Sequence, residues 1–265
     1  MILEITRRFN ISILKQKIKL FKTSRHPLKR AIYTSILYLW KTFHTIHKFL
    51  FRPDYRSFLW LKYKKNTDIH QIHNYTQHNR YPALFLASQK LMQNTPNLKI
   101  LSFGCSTGEE VFTLNQYFPN ADIVGVDINK KNIKKALQNN TTQKNTFSYE
   151  IESTLNENKP FDIIFVLAVL QRTENRDESI FDSSMIYPFE KFNTKIEELD
   201  YFLKKGGLFV IDQADYFFED CKVSSKYEII DGAYNFIRER YMFDKHNKKF
   251  PTYTLHHRIF KKSIK

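Results

Sequence analysis

The chain has 265 residues, six glycines, two cysteines and a formal charge of +15. That length holds one domain of about 200 residues and an appendage. Two cysteines, Cys105 and Cys221, exclude a disulfide framework and any Cys-based metal spacing, so a reducing, cytoplasmic setting is the default. The charge is unevenly placed: residues 1–65 hold 16 Lys and Arg against two acids, Glu4 and Asp54, which is +14 of the +15. The remaining chain is close to neutral, so its pI describes only the N-terminal segment.

In that segment Met1 to Phe21 spaces Ile2, Ile5 and Phe9 at helical intervals. Leu28, Ile32, Ile36, Leu39, Phe43, Ile46 and Leu50 form a longer stripe at steps of three and four, with Lys29, Arg30, Lys41 and Lys48 among them. Only ten residues, Ala31 to Trp40, separate Arg30 from Lys41, where a membrane span needs about 20. No secretory cleavage pattern follows the first basic residues. Residues 1–65 therefore read as a basic amphipathic helical extension. Three uses stay open: a cap packed on the rest of the chain, attachment to an anionic membrane surface at its inner face, or a basic arm for nucleic acid. Residues 66–79 read as a polar linker, a loop or an exposed helix. His70, His73 and His78 lie in it without the Cys or carboxylate pattern of a metal site, and no metal is expected.

From Arg80 to residue 265 the pattern is regular. Pro82 suits the first turn of a helix that stops at Asn94–Asn97. The spacing then predicts a strand over 99–103, a helix over 111–118, a strand over 122–127, a helix over 130–139, and strands over 147–151 and 161–167. A long amphipathic helix follows over 189–203, then a turn at Gly206-Gly207 and a strand over 208–212. Alternating strands and helices predict a parallel, three-layer α/β sheet. The aromatic and β-branched segments 227–230, 235–242 and 252–260 predict late strands, with an antiparallel hairpin at the end of the sheet.

The stretch Lys99–Leu114, KILSFGCSTGEEVFTL, is strand, glycine loop, helix. This arrangement brings backbone N–H groups and a helix N-terminus to a ligand. Gly104 ends the strand, and Asp127 ends the next one, where a carboxylate can accept both ribose hydroxyls of an adenosine. Ser106 stands where a dinucleotide fold has its second glycine, which argues against NAD or FAD, and no Gly-Lys-Ser/Thr follows, which excludes a P-loop. Glu109 and Glu110 suit the helix dipole but repel a phosphate. They favour a cationic, phosphate-free ligand such as a sulfonium nucleoside.

The motifs ILSFGCSTGEEVFTL, IVGVDIN, FDIIFVLAVLQR and LKKGGLFVID resemble those of class I S-adenosylmethionine (SAM)-dependent methyltransferases, over about Tyr81 to Lys262. The loop looks most like that of the CheR-type enzymes. The resemblance implies a Rossmann-like sheet of about seven strands, the last antiparallel, with SAM across the carboxyl ends. It implies a cofactor site of Gly104, Cys105, Ser106, Thr107, Gly108, Glu109, Asp127, Ile128, Glu152, Ser153, Leu167 and Ala168. Glu109 would meet the amino end, Asp127 the ribose, Ile128 the adenine face, Glu152 or Ser153 the adenine edge, and Leu167 and Ala168 the methyl-donor region. CheR-type enzymes usually carry Arg-Asn after strand four, where this chain has VLAVLQR, so a receptor glutamate is not carried over as acceptor. The Asp/Asn-Pro-Pro-aromatic motif of nucleic-acid amino-methyltransferases is absent too. Candidates for work on the acceptor are Gln171, Arg172 and Asp212, with Tyr187 nearby. The expected activity is methyl transfer from SAM to an unidentified acceptor. A small-molecule or lipid-linked acceptor is preferred to RNA or protein, and a non-catalytic SAM-binding protein is the rival.

Overall fold

The structure is a computed structural model describing residues 24–52, 55–56, 59, 69–71, 73–232, 236–237 and 241–264. The chain divides into two compact units at residues 60 and 61. In the first, Pro27–Phe51 forms helix α1, with Pro27 in its first turn. The helix expected over 1–21 lies outside the described residues. Among the described residues no helix is long and apolar enough to cross a membrane.

In the second unit, residues 69–71 and 73–80 are neither strand nor helix. The order that follows is α2 (Pro82–Leu91), β1 (Lys99–Phe103), α3 (Glu109–Tyr117), β2 (Asp122–Val126), α4 (Lys130–Asn139), β3 (Asn145–Ser148), α5 (Ile151–Asn158), β4 (Phe161–Leu167), α6 (Phe189–Phe202) and β5 (Leu203–Asp212). The last strands are β6 (Tyr227–Ile229), β7 (Phe236–Ile237), β8 (Leu255–His256) and β9 (Ile259–Lys262). Seven strands make one sheet in the order β3-β2-β1-β4-β5-β9-β6. The pairs from β3 to β5 are parallel, and β9 enters antiparallel to both β5 and β6. This is the Rossmann-like methyltransferase architecture expected from the motifs.

Alternation along the strands builds the core on both faces. Leu101, Val124, Ile164 and Phe209 pack with α6 residues Phe192, Ile196 and Leu199 on one side. Ile100, Ile123, Ile163, Phe165 and Val210 pack with Phe85, Val111, Leu114 and Ile133 on the other. All seven residues of β4 are buried, as a central parallel strand covered on both faces requires.

Three expectations shift. The third strand is Asn145–Ser148, not 147–151: the Ser148 hydroxyl accepts the Glu150 N–H at 3.0 Å, and Ile151 starts a helix that periodicity had not shown. Gly206-Gly207 lies inside β5 rather than in a turn. There the register jumps from Phe161↔Leu203 to Ile163↔Leu208, so the glycines sit in an irregularity where α6 runs directly into strand. The late hairpin pairs β7 with β8 in a separate two-stranded sheet, and only β6 and β9 join the main one.

Candidate functional site

The carboxyl ends of β1, β2 and β4 open into one cleft, roofed by residues 70–71 and 73–77. Its floor starts at Gly104. The Gly104 and Cys105 N–H groups both donate to the Val126 carbonyl, at 2.8 and 3.0 Å, which folds the loop across the end of β2. Gly104 has φ +78°, and a Cβ there would stand 2.5 Å from Val169 Cγ2. The position therefore needs glycine for its backbone and for its space. Gly108, at φ +97°, is the N-cap of α3, and the Cys105 carbonyl accepts its N–H at 3.0 Å.

Asp127 closes the loop. Its Oδ2 accepts the Ser106 N–H at 3.0 Å, and its Oδ1 accepts the Asn129 N–H at 2.7 Å and Asn132 Nδ2 at 3.3 Å. A carboxylate offers about four acceptor positions, so one on Oδ2 remains for a ligand hydroxyl. Burial pushes this carboxyl upward, opposed by those same three hydrogen bonds.

Of the cofactor residues read from the motifs, Gly104, Cys105, Ser106, Asp127, Ile128, Leu167 and Ala168 line the cleft. Thr107 and Gly108 shape the loop without lining it. The Thr107 hydroxyl donates to Glu109, at 2.6 and 2.8 Å, and Glu109 borders a separate open depression with His78 and Phe112. Glu152 and Ser153 are exposed on α5, from which Ile151 reaches the cleft. The Cys105 thiol is pushed up by burial first, then by Asp127 and Glu110, which makes it an inert filler.

The three acceptor-side candidates stand behind the cleft rather than on its wall. Gln171 is buried; its Nε2 donates to the Ala168 carbonyl and its Oε1 accepts from Arg176. The Arg172 guanidinium donates to the Ile69 carbonyl at 2.8 Å, and its backbone N–H to Asp215 at 2.7 Å. Asp212 is buried with its Oδ1 3.5 Å from Arg258 Nε, and it accepts the Gln213 N–H at 2.8 Å. Of the two late histidines, His256 is buried and His257 meets Glu219 at 2.6 Å, both beside Asp212 rather than at the cleft.

Two charged residues of the cleft were not among the cofactor residues read from the motifs. Glu110 accepts the Ser102 hydroxyl at 2.8 Å, and burial pushes it up to about 7 against that bond and the charge of Arg80. Arg80 lies over the rings of Tyr75 and Tyr81, 5.3 and 5.2 Å away, and donates to Gln213 Oε1 at 3.2 Å. Glu110 was hidden because Glu109 and Glu110 are adjacent, and only the helix start at Gly108 decides which one turns inward.

Residues 70–71 and 73–77 of the stretch read as linker form the roof. Asn74 accepts the Ser106 hydroxyl at its carbonyl, 3.0 Å, and its Nδ2 donates to Asn132 Oδ1 at 3.3 Å. The Asn79 N–H donates to the Thr113 hydroxyl at 2.9 Å. His70 is buried against Tyr187, with Nδ1 2.6 Å from the hydroxyl. His73 and His78 are exposed, and among the described residues no group of three or more His, Cys, Asp or Glu could hold a metal ion.

Residues 94–252 match the family described as a methyltransferase domain. The chain belongs to this family. The match spans β1 to β7, and the glycine loop and Asp127 lie at the carboxyl ends of matched strands. No curated protein matches the sequence. Solved structures similar to this chain include plantazolicin methyltransferase BpumL in complex with SAH (16% identity, 63% of this chain and 56% of that one, TM-score 0.38). Others are the ribosomal protein L11 methylase of Lactobacillus delbrueckii subsp. bulgaricus (13%, 70% and 80%, 0.44) and TehB of Haemophilus influenzae (11%, 67% and 61%, 0.42). The chain spans just over half the length of BpumL. The family match supports the methyltransferase reading of the motifs and does not extend to the CheR-type one.

Proposed function

We propose that this methyltransferase takes its methyl group from SAM, held in the cleft between the glycine loop and the roof over 69–80. The observation that carries this reading is the convergence of Gly104, Asp127 and Glu110 on one cleft. The residues fit the group: the acceptor position left on Asp127 Oδ2 suits a ribose hydroxyl, and Ile128 supplies an apolar face for adenine. Glu110 and Arg80 form an opposite-charge pair for the α-amino and carboxylate ends of an amino acid, with Glu110 taking the amino role first read for Glu109. When bound, SAM supplies a methyl carbon on a sulfonium, open to in-line displacement. The chain's own contribution is alignment and exclusion of water: the roof over 70–77 does both. Isothermal titration tests the reading. S-adenosylhomocysteine (SAH) binds the wild type and binds Asp127→Ala at least about tenfold more weakly, the worth of a charge-assisted hydrogen bond. Undiminished affinity in the variant would sink it.

The acceptor class read from the sequence, a small or lipid-linked molecule, is supported by α1, which carries its apolar stripe among Lys29, Arg30, Lys41 and Lys48. Such a helix suits an anionic bilayer surface. Flotation of the full chain with phosphatidylserine vesicles but not phosphatidylcholine vesicles supports this partner. Salt-sensitive retention on RNA without flotation would transfer the basic segment to nucleic acid.

A further inference from the structure

His70 is buried and lines the cleft, and the Tyr187 hydroxyl meets its Nδ1 at 2.6 Å, edge-on. Among the described residues that hydroxyl has no other acceptor. A buried O–H without an acceptor is costly, so Tyr187 donates to Nδ1 and the ring proton resides on Nε2. Nε2 in turn is buried with no partner among the described residues. His70, a residue of the cleft lining, therefore holds an unmatched N–H donor.

Its surroundings are positive. The Ile69 carbonyl accepts from both Arg172, at 2.8 Å, and Lys191 Nζ, at 2.9 Å, which pins the roof beside His70. Burial, then Lys195, Lys191 and Arg172, hold His70 down at about 2. Of the acids behind them, Asp215 is engaged with the Arg172 N–H and with Asn175 Nδ2, Glu174 acts on Arg172, and Glu198 pairs with Lys195. With its Nδ1 lone pair used by Tyr187 and a cationic collar around it, His70 cannot serve as the base that a neutral hydroxyl acceptor needs. It can hold an oxygen that is already anionic.

We propose that His70 donates its Nε2–H to an anionic oxygen of the methyl acceptor, so that the enzyme methylates an acid, a carboxylate or phenolate. This rests on the methyltransferase reading above. The transfer then balances without a base: an oxygen lone pair forms the O–CH3 bond, the C–S pair stays on sulfur, and no proton is left to move. Tyr187 is a positioning residue that fixes the tautomer.

The test uses the full chain, 15N-labelled at histidine and saturated with SAH. The long-range 15N spectrum shows His70 protonated on Nε2, with Nδ1 as acceptor, unchanged from pH 5.5 to 8. An Nδ1–H tautomer overturns the proposal. Benzoate then shifts the Nε2 resonance and neutral benzamide does not; equal effects, or none from benzoate, also overturn it. His70→Ala weakens benzoate at least about tenfold and leaves SAH within about twofold. Loss of SAH in that variant would instead give the donor to the cofactor's own carboxylate. The wild-type arms need no variant, and failure of the wild type to bind SAH defeats the methyltransferase reading rather than this one.

Discussion

The Asp127 carboxylate accepts the Ser106 N–H at 3.0 Å, joining the loop after β1 to the end of β2. One side chain thus closes the loop and faces the cleft, so its removal has two effects. Asp127→Ala strands the Ser106 and Asn129 N–H groups and lowers stability by about 1–3 kcal/mol. Asp127→Asn keeps the Oδ1 bonds and recovers most of that, yet still loses SAH affinity because it removes the charge. Thermal melts and titrations of both variants separate the two roles.

Glu110 titrates near 7 because burial outweighs the Ser102 bond and the Arg80 charge. Its folded pKa lies above the ordinary glutamate value of 4.5, so the folded state holds the extra proton between about 4.5 and 7. Its contribution to stability is therefore full below that window and falls as pH rises through it. Affinity for a cationic amino group moves the other way and strengthens as the carboxylate forms. SAH titrations from pH 5.5 to 8 show this rise, and Glu110→Gln flattens both trends. A pH-independent wild-type affinity would remove Glu110 from the amino end.

Gly104 has φ +78° and no room beside Val169. Gly104→Ala costs about 2 kcal/mol through left-handed strain and steric conflict. Adding Val169→Ala relieves the steric part but not the backbone part. Partial recovery of the melting temperature in the double variant is the expected outcome; full recovery would mean that the φ value carries no cost.

Ser106 ties the floor to the roof through the Asn74 carbonyl. Ser106→Ala removes one hydrogen bond, worth about 1 kcal/mol, and speeds SAH release about fivefold in stopped flow. An unchanged release rate would mean that this bond does not retain the cofactor.

Asp212 ends β5 with Arg258 beside it rather than a ligand. Asp212→Asn breaks a buried ion pair and destabilises by about 3 kcal/mol, with SAH affinity unchanged at temperatures where the variant is folded. Weakened SAH binding in the folded variant would return Asp212 to the site.

The sheet was legible because buried parallel strands read as short apolar runs: KILSF, DIVGV and FDIIFVL keep their expected places to within a residue. Strand three and α5 were not, since NTFSYEIESTLNEN changes from alternation to helix within a few residues, and the change rests on the Ser148–Glu150 turn. Positions where glycine or a strand-terminal acid is a backbone necessity, Gly104 and Asp127, also showed in the sequence. Local pattern and backbone sterics suffice for these, because they act between near neighbours in the chain.

Which side chains meet across the cleft was decided only in three dimensions. Residues 66–79 have the composition of a linker, yet His70, Asn74 and Asn79 in it, with Arg80 after it, find partners at 187, 106, 113 and 213 and build a roof. Glu110 rather than Glu109 faces the cleft because Gly108 starts the helix where it does. Gln171, Arg172 and Asp212 turn away because buried partners satisfy them elsewhere. Periodicity encodes which face of an element is buried. The pairing of polar groups far apart in sequence has no local signature and emerges when the sheet brings its carboxyl ends to one edge.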